Sequence, residues 1–436
     1  MIDALKRSPA LQWAYRLPIL VGAYHLSLAF LGALLYGFPS RKLYIIGVTG
    51  TKGKTTTCSL IADILSGAGH KTGLITTVKF AIGDREWVND TKQTMPGRFG
   101  LQKILRDMVR AGCEYAVIET SSEGILQHRH RFINYKAAVF TNLSPEHIER
   151  HGGFENYRAA KLKLFKAVAK RPDGVGVYNL DDENAIYFLG PSVEARIGFG
   201  KKEGPSPLGL KKFLMSGIKL GDKETRFKLG GESYTMPLLG EFNVYNAAAA
   251  ICTALSQNIS VAVIKNVLQS ARGVSGRMEV IEARGIRIVV DYAHEPASLT
   301  ALYEAVKIFK PRRVIGILGS QGGGRDKWKR AAMGKVAAKY CDELILTNED
   351  PYDEDPLAII EDIEKGVLAL PTTYHLPPTT YKVVDRREAI GKAISLAKKG
   401  DVVVISGKGG EVVMCVEGGR KIPWSDKNIV EGFLGL

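Results

Sequence analysis

Gly47-Val-Thr-Gly-Thr-Lys-Gly-Lys-Thr-Thr-Thr57 follows the apolar run Leu43-Tyr-Ile-Ile46 and precedes an apolar-periodic run from Cys58 to Leu65. A buried strand, a glycine-rich turn and a helix start are what a phosphate-binding loop needs. Glycines let the backbone approach the phosphates, and the first N–H groups of the helix point at the anion. Gly50, Thr51, Lys52, Gly53, Lys54, Thr55 and Thr56 would form that loop. Lys54 would reach the β/γ-phosphates, and Thr55 would offer its hydroxyl to Mg2+. The general pattern asks for glycine where Val48 stands, and Gly50 sits inside the loop instead. Strand, Gly-Lys-Thr and helix in this order predict binding of a nucleoside triphosphate.

A chain of 436 residues is too long for one ordinary core, so two or three domains are expected. The formal charge of +15 implies an anionic partner or a strongly solvated surface. Lys and Arg are spread along the chain and no nucleic-acid-binding module is present. A nucleotide or a membrane surface therefore explains the charge better than nucleic acid. Cys58, Cys113, Cys252, Cys341 and Cys415 are scattered without CxxC pairs. That excludes a zinc ribbon and fits a reducing cytoplasm, with the thiols packed as small apolar groups.

Residues 17–38 are almost uncharged and long enough to span a bilayer, with His25 near the middle. Basic residues flank the stretch on both sides (Lys6, Arg7 and Arg16; Arg41 and Lys42), so charge sets no orientation. A spanning helix, a membrane-lying helix and a helix packed on the ATP-binding domain all stay open at this point.

From Leu43 onward short β-branched runs alternate with helical patterns, the signature of a doubly wound α/β sheet. Tyr115–Ile118, Ala137–Phe140 and Gly174–Tyr178 read as buried parallel strands. Residues 197–237 read as an antiparallel meander, and an alanine-rich helix follows over Asn243–Leu255. A second α/β series begins near Glu279, with strands at Ile286–Val290, Arg313–Leu318, Glu343–Thr347 and Asp401–Ile405. Gly273-Val-Ser-Gly276 reads as a hinge. The expected division is an apolar helical segment over 1–42, a central ATP-binding domain over 43–277 and a Rossmann-like domain over 278–436.

Three further groups fall at strand ends, where open α/β sheets bind ligands. They are Glu119 in Ile118-Glu-Thr-Ser-Ser122, His147 in Asn142-Leu-Ser-Pro-Glu-His147, and Lys161 in Tyr157-Arg-Ala-Ala-Lys161. A carboxylate and an imidazole near a triphosphate are reasonable Mg2+ ligands. Taken singly, each has a plain reading as a helix-capping acid, a satisfied loop histidine and a solvated helix lysine.

Their joint order resembles the Mur ligases. The likeness rests on Thr49-Gly-Thr-x-Gly-Lys-Thr-Thr56, Glu119-x-Ser-Ser122, Asn142-Leu-Ser-x-x-His147 and Tyr157-x-x-Ala-Lys161. Leu239-Gly-x-Phe-Asn-x-x-Asn-Ala247, Gly273-Val-x-Gly-Arg-Met-Glu279 and Val290-Asp-Tyr-Ala-His294 continue it. The chain is most similar to the MurE branch, which adds the third amino acid to UDP-MurNAc-L-Ala-D-Glu.

The resemblance implies ATP and Mg2+ as cofactors. Gly50–Thr56 would hold the phosphates, and Thr55, Glu119, His147 and a carbamylated Lys161 would bind metal. Asn243 and Asn246 would lie near adenine, with Arg277 and Asp291 as further nucleotide contacts. Thr94 and Pro96, with Ser121, Gln127 and Arg129, would hold the muramyl dipeptide. Arg325, Glu349, Asp350, Gly407 and Glu411 would hold the incoming amino acid, lysine or diaminopimelate.

The chemistry is then an acyl phosphate attacked by an amine, with Lys54, Lys161, His147 and Glu119 as the catalytic set. Two departures stand out. Diaminopimelate-adding enzymes carry Asp-Asn-Pro-Arg where this chain has Glu349-Asp-Pro-Tyr352. Losing the arginine removes a bidentate carboxylate clamp, which favours L-lysine. The family's N-terminal domain that contacts uridine is the other departure, and the apolar residues 1–42 are expected to stand in its place. Competing readings are a MurT-like or folylpolyglutamate-synthase-like ligase and a membrane-tethered ATP-binding scaffold that builds no bond.

Overall fold

The computed structural model describes residues 18–146, 148–324, 327–369 and 377–436. His147 and Arg325, two of the predicted site residues, lie outside the described residues. The described residues fold as two compact units, one within 18–143, 155–214 and 248–264, the other within 144–154, 215–247 and 265–436.

The first unit starts with helix α1 (Pro18–Leu35), then β1 (Tyr44–Thr49) and α2 (Lys54–Gly67). Next come β2 (Thr72–Ile75), β3 (Lys79–Ile82), β4 (Arg85–Val88), α3 (Arg98–Arg110), β5 (Tyr115–Glu119) and α4 (Ser122–Leu126). β6 (Tyr135–Phe140), α5 (Phe154–Val168), β7 (Val175–Asn179), β8 (Ala195–Gly200) and β9 (Leu210–Leu220) follow. The strand order is β9-β8-β7-β6-β1-β5-β2-β3-β4. From β9 to β2 neighbours run parallel, and the β2-β3-β4 edge is antiparallel.

The central strands are apolar because both faces are covered. Ile45, Ile46, Val48, Val117, Ile118, Val139 and Phe140 are all buried. The phosphate-loop strand β1 lies between β5 and β6, with Val48 level with Glu119 and Val139. That register places the phosphate loop beside the carboxyl ends of the strands that carry Glu119 and Asn142.

The expected meander is only partly antiparallel. β8 and β9 pair parallel, and the reversal comes with β10 (Thr225–Leu229) and β11 (Glu232–Met236). The linker of residues 201–209, about 30 Å if extended, can return the chain along the length of β8 so that β9 runs in the same direction. The alanine-rich helix, α6, runs Glu241–Ser256, and α7 covers Val261–Gln269.

The remaining chain builds a second sheet, of order β12-β13-β17-β14-β15-β16. Its elements are β12 (Glu279–Ala283), β13 (Ile286–Val290), α8 (Pro296–Val306), β14 (Val314–Leu318), α9 (Lys329–Tyr340), β15 (Glu343–Leu346) and α10 (Pro356–Leu368). β16 (Thr379–Lys382), α11 (Arg386–Leu396), β17 (Val402–Ile405), a β18 (Val413–Val416)–β19 (Arg420–Pro423) hairpin and α12 (Asp426–Leu434) complete it. Alternate residues of each strand serve opposite cores. Val289, Leu318, Leu344, Leu346, Val402 and Val404 pack with α8, α9 and α10. Ile288, Val290, Ile315, Ile317, Ile345, Val403 and Ile405 pack with α11 and α12. Together the two sheets give the mostly parallel α/β class expected from the sequence.

The apolar N-terminal stretch is a packed helix. Among the described residues no helix is long and apolar enough to cross a membrane. Ala29 and Ala33 of α1 are buried, and Gly32 lies against α3, where an added Cβ would stand 3.3 Å from the Arg98 carbonyl oxygen. All five cysteines are buried and free.

Candidate active site

The phosphate loop is fixed by hydrogen bonds rather than by burial alone. Asn142 binds it three times: its carbonyl oxygen accepts from Thr51 N–H (2.8 Å), its Oδ1 from Lys52 N–H (2.9 Å), and its Nδ2 donates to the Lys52 carbonyl (3.1 Å). Thr141 Oγ1 adds a 2.7 Å bond to that same carbonyl. Gly50 has φ +149°, and a Cβ there would stand 2.0 Å from Thr141 Oγ1, so only glycine fits. Gly53, also at positive φ, sits immediately before the first turn of α2, which begins at Lys54. Lys54 Nζ folds back onto the Thr51 carbonyl at 2.7 Å.

Two partners of the loop come from elsewhere in the first unit. Thr55 Oγ1 donates to Glu119 Oε2 at 2.9 Å, and that oxygen also accepts from Thr77 N–H at 2.9 Å. Lys161 is buried, and its Nζ donates to the Gly50 carbonyl at 2.6 Å while lying 4.5 Å from the Tyr157 ring centre. Tyr157 OH in turn lies 3.1 Å from Thr51 Oγ1. The structure thus brings together Gly50, Thr51, Lys54, Thr55, Glu119 and Lys161, as the motif order predicts. A glycine cradle, a helix N-terminus and a threonine–carboxylate pair suit a Mg2+–nucleotide complex, whose phosphates they would meet with N–H groups and its metal with oxygens.

Thr94, Ser121, Gln127 and Arg129 also belong to the first unit. Thr94 Oγ1 accepts from Thr77 Oγ1 at 3.0 Å, so one threonine links it to Glu119. Ser121 caps α4, its Oγ accepting from Gly124 N–H at 3.2 Å. Gln127 Oε1 accepts from Arg129 Nε (3.2 Å) and Nη2 (2.6 Å). Arg129 Nη1 donates to Gln93 Oε1 at 2.7 Å and to the Met95 carbonyl. Burial, then the nearby Arg98 charge, lower the Arg129 pKa to about 10. Two guanidinium groups close together favour an anion.

In the second unit Asp291 is held at both oxygens, Oδ2 accepting from Met278 N–H and Oδ1 from Ala293 N–H, each at 2.7 Å. Arg277 lies over the Tyr292 ring at 4.4 Å. Asn243 Nδ2 donates to the Leu239 carbonyl at 2.8 Å, and Asn246 Nδ2 to Asn243 Oδ1 at 3.0 Å. Gly276, in the expected hinge, has φ +66°, and a Cβ there would stand 1.8 Å from Gly410 N.

Of the predicted amino-acid residues that are described, Glu349, Asp350 and Gly407 are buried and Glu411 is partly buried beside them. Lys408 Nζ gives its three hydrogens to Asp350 Oδ1 (2.8 Å), Glu411 Oε2 (2.7 Å) and the Val413 carbonyl (2.7 Å). Glu349 is fully buried, and burial pushes its carboxyl up to about 7. Gly407 makes room for it, since a Cβ there would lie 2.2 Å from Glu349 Oε2.

Sequence reasoning assigned no role to Asn142, Tyr157 or Lys408, although Asn142 and Tyr157 lie inside quoted motifs and Lys408 lies between the predicted Gly407 and Glu411. It also passed over Glu146, His294 and Glu295, whose ligand atoms lie within 4.8 Å of one another. His294 Nδ1 faces the Tyr292 carbonyl at 2.8 Å and Nε2 faces Glu146 at 3.2 Å. Glu295 caps α8 and pairs with Lys329 at 2.8 Å, which accounts for its placement.

Comparison with known proteins accords with this geometry. The Mur ligase middle domain matches residues 48–254, and the Mur ligase, glutamate ligase domain, matches 276–409. The UDP-N-acetylmuramyl-tripeptide synthetase of Roseiflexus sp. (strain RS-1) is 36% identical, over 95% of this chain and 83% of its own length. The UDP-N-acetylmuramoyl-L-alanyl-D-glutamate--2,6-diaminopimelate ligase of Geobacillus thermodenitrificans is 37% identical over 92% and 81%. Among solved structures, a ligase of that same description superposes with TM-score 0.60 at 29% identity, covering 90% of this chain and 78% of that one. The Mycobacterium tuberculosis folylpolyglutamate synthase gives TM-score 0.69 at 19% identity, covering 88% and 92%, which is a likeness of fold. The chain belongs to the Mur ligase family, and it is an ATP-dependent ligase of the MurE type.

Proposed function

We propose that the chain joins a diamino acid to the D-glutamyl carboxylate of UDP-MurNAc-L-Ala-D-Glu in the cytoplasm, with L-lysine as the amine. The observation that carries the ligase chemistry is the convergence of Thr55, Glu119 and Lys161 on the phosphate loop, through bonds of 2.9 and 2.6 Å. Bound ATP would supply the phosphoryl group that makes the carboxylate a good electrophile, and Mg2+ would neutralise the charge developing on it. Thr55 and Glu119 offer oxygens for one metal ion. His147 and a carbamate on Lys161 would supply ligands for a second.

Lys54, at the head of α2, lies where a cation can follow charge on the transferred group. Thr94, Ser121, Gln127 and Arg129 hold the acceptor, and the paired guanidiniums suit its anionic groups. Asn243, Asn246, Arg277 and Asp291 attend the nucleotide base and sugar.

Two features support lysine. Tyr352 stands where the resemblance calls for arginine, and Lys408 already serves Asp350, Glu411 and a carbonyl. Asp350 and Glu411 share the Lys408 ammonium, and Glu411, the more exposed of the two, is the carboxylate placed to meet a distal ammonium as well. The likeness to 2,6-diaminopimelate ligases makes diaminopimelate the second reading. Phosphate release measured with UDP-MurNAc-dipeptide over a panel of amino acids separates them. Higher kcat/KM for lysine is the expected result, and preference for meso-diaminopimelate reverses the assignment.

A further inference from the structure

Helix α1 packs chiefly on α3, and through Arg98 at the head of α3 it reaches the segment that presents Gln127 and Arg129. His25 Nδ1 accepts from Arg98 Nη2, and Arg98 Nε donates to the Gln127 carbonyl at 3.0 Å. Gln127 Oε1 then holds Arg129. The path from α1 to the acceptor arginine is therefore His25, Arg98, Gln127, Arg129. Burial and the Arg98 charge keep the His25 imidazole at about 4, so at neutral pH its ring nitrogen is free to accept that bond.

The same segment is bent at two bulky residues. His128 has φ +56° and Phe132 φ +59°, a left-handed backbone that such side chains rarely adopt without support. The N-terminal region meets both. Gly22 lies beside the His128 ring, with an added Cβ 3.9 Å from Nε2, and the Phe30 ring meets Phe132 edge-on at 5.4 Å. Just past α1, Ser40 Oγ donates to the Phe132 carbonyl at 3.3 Å and accepts from Asn134 N–H at 3.1 Å. Arg106 Nη1 closes the far end on the Tyr36 carbonyl at 2.8 Å.

We propose that α1 is a positioning element for the acceptor: through His25–Arg98 and Phe30–Phe132 it holds the 127–132 segment in the conformation that presents Gln127 and Arg129. This rests on the reading of those two residues as acceptor contacts. A helix that merely covered an apolar patch would affect stability alone. A positioning helix shifts the acceptor KM selectively.

The test uses the full chain with His25→Leu, His25→Gln, Phe30→Ala and Arg129→Ala, each measured for kcat, three KM values and melting temperature. His25→Leu is expected to raise the KM for UDP-MurNAc-dipeptide about tenfold, the scale of one lost orienting hydrogen bond, with the KM for ATP unchanged. His25→Gln restores it, because its amide oxygen accepts the same Arg98 hydrogen. Phe30→Ala acts in the same direction and serves if His25→Leu does not fold. An unchanged acceptor KM in both His25→Leu and Phe30→Ala, or a parallel rise in all three KM values that His25→Gln does not relieve, overturns the proposal. Arg129→Ala keeps the two readings apart. If it raises the acceptor KM and the α1 variants do not, the positioning role fails while the acceptor site stands; if it changes nothing, the acceptor assignment itself fails.

Discussion

Thr55 Oγ1 donates to Glu119 Oε2 across 2.9 Å, joining the first turn of the phosphate-loop helix to the end of the neighbouring parallel strand. The two oxygens that a metal ion would use are thus already adjacent. Glu119→Gln keeps the shape and removes the charge. It is predicted to lower kcat by about a hundredfold or more, the scale seen when one electrostatic contact to a transition state is lost. Steady-state phosphate release with saturating substrates measures this, and a drop below about threefold would remove Glu119 from the metal site.

Lys161 is the second partner of the loop, buried with its ammonium on the Gly50 carbonyl. A carbamate there would put negative charge where Mg2+ can use it. Lys161→Arg, which keeps a cation but cannot form the carbamate, is predicted to lose nearly all activity. Stripping bicarbonate from the wild type should slow it, and 13C-bicarbonate should give a carbamate resonance that Lys161→Arg lacks. Full activity in the arginine variant would show that a cation suffices.

Glu349 links the amino-acid segment to pH. Burial raises its carboxyl to about 7, above the ordinary 4.5, so the folded protein holds this proton more tightly than the unfolded chain does. Its contribution is fully present below about pH 4.5 and is lost as pH rises through about 7. The cost above neutrality is on the order of a few kcal/mol. Glu349→Gln should therefore gain melting temperature over wild type at pH 8 and match it near pH 5. Equal differences at both pH values would mean that Glu349 ionises normally.

Arg386 and Asp426 form a buried ion pair, with bonds of 2.9 and 2.7 Å. Arg386 also serves the Asn348 and Ser406 carbonyls, next to Glu349 and Gly407 in sequence. Asp426→Ala strands a buried guanidinium and is predicted to cost about 3–5 kcal/mol. Urea unfolding checks it, and a loss under about 1 kcal/mol would indicate that water or another acid replaces the aspartate.

Much of this architecture was legible because period and punctuation agreed. β1, the glycine turn and α2 were readable as one unit, since an apolar run, Gly50, Gly53 and Lys54 each demand the same local geometry. The strands of the second sheet were readable for the same reason, being β-branched and covered on both faces. β16 and the β18–β19 hairpin were not. Thr379–Lys382 is short, partly exposed and polar at an edge, so no burial pattern marks it. Site residues with ionisable groups stood out, whereas Asn142 did not, because its work is to bind backbone groups that sequence does not display. The fate of residues 17–38 was also hidden: hydropathy alone reports an apolar helix, and only the contacts of His25, Ala29 and Phe30 show what that helix packs against.

The central claim is that ATP activates the acceptor carboxylate as an acyl phosphate, and oxygen transfer tests it most directly. UDP-MurNAc-L-Ala-D-Glu labelled with 18O in the side-chain carboxylate is turned over with ATP and lysine, and the released phosphate is analysed by mass. The account predicts one 18O in each phosphate released, because the bridging oxygen of the acyl phosphate leaves with phosphorus when the amine attacks. Unlabelled phosphate formed at the same rate with or without acceptor would contradict it.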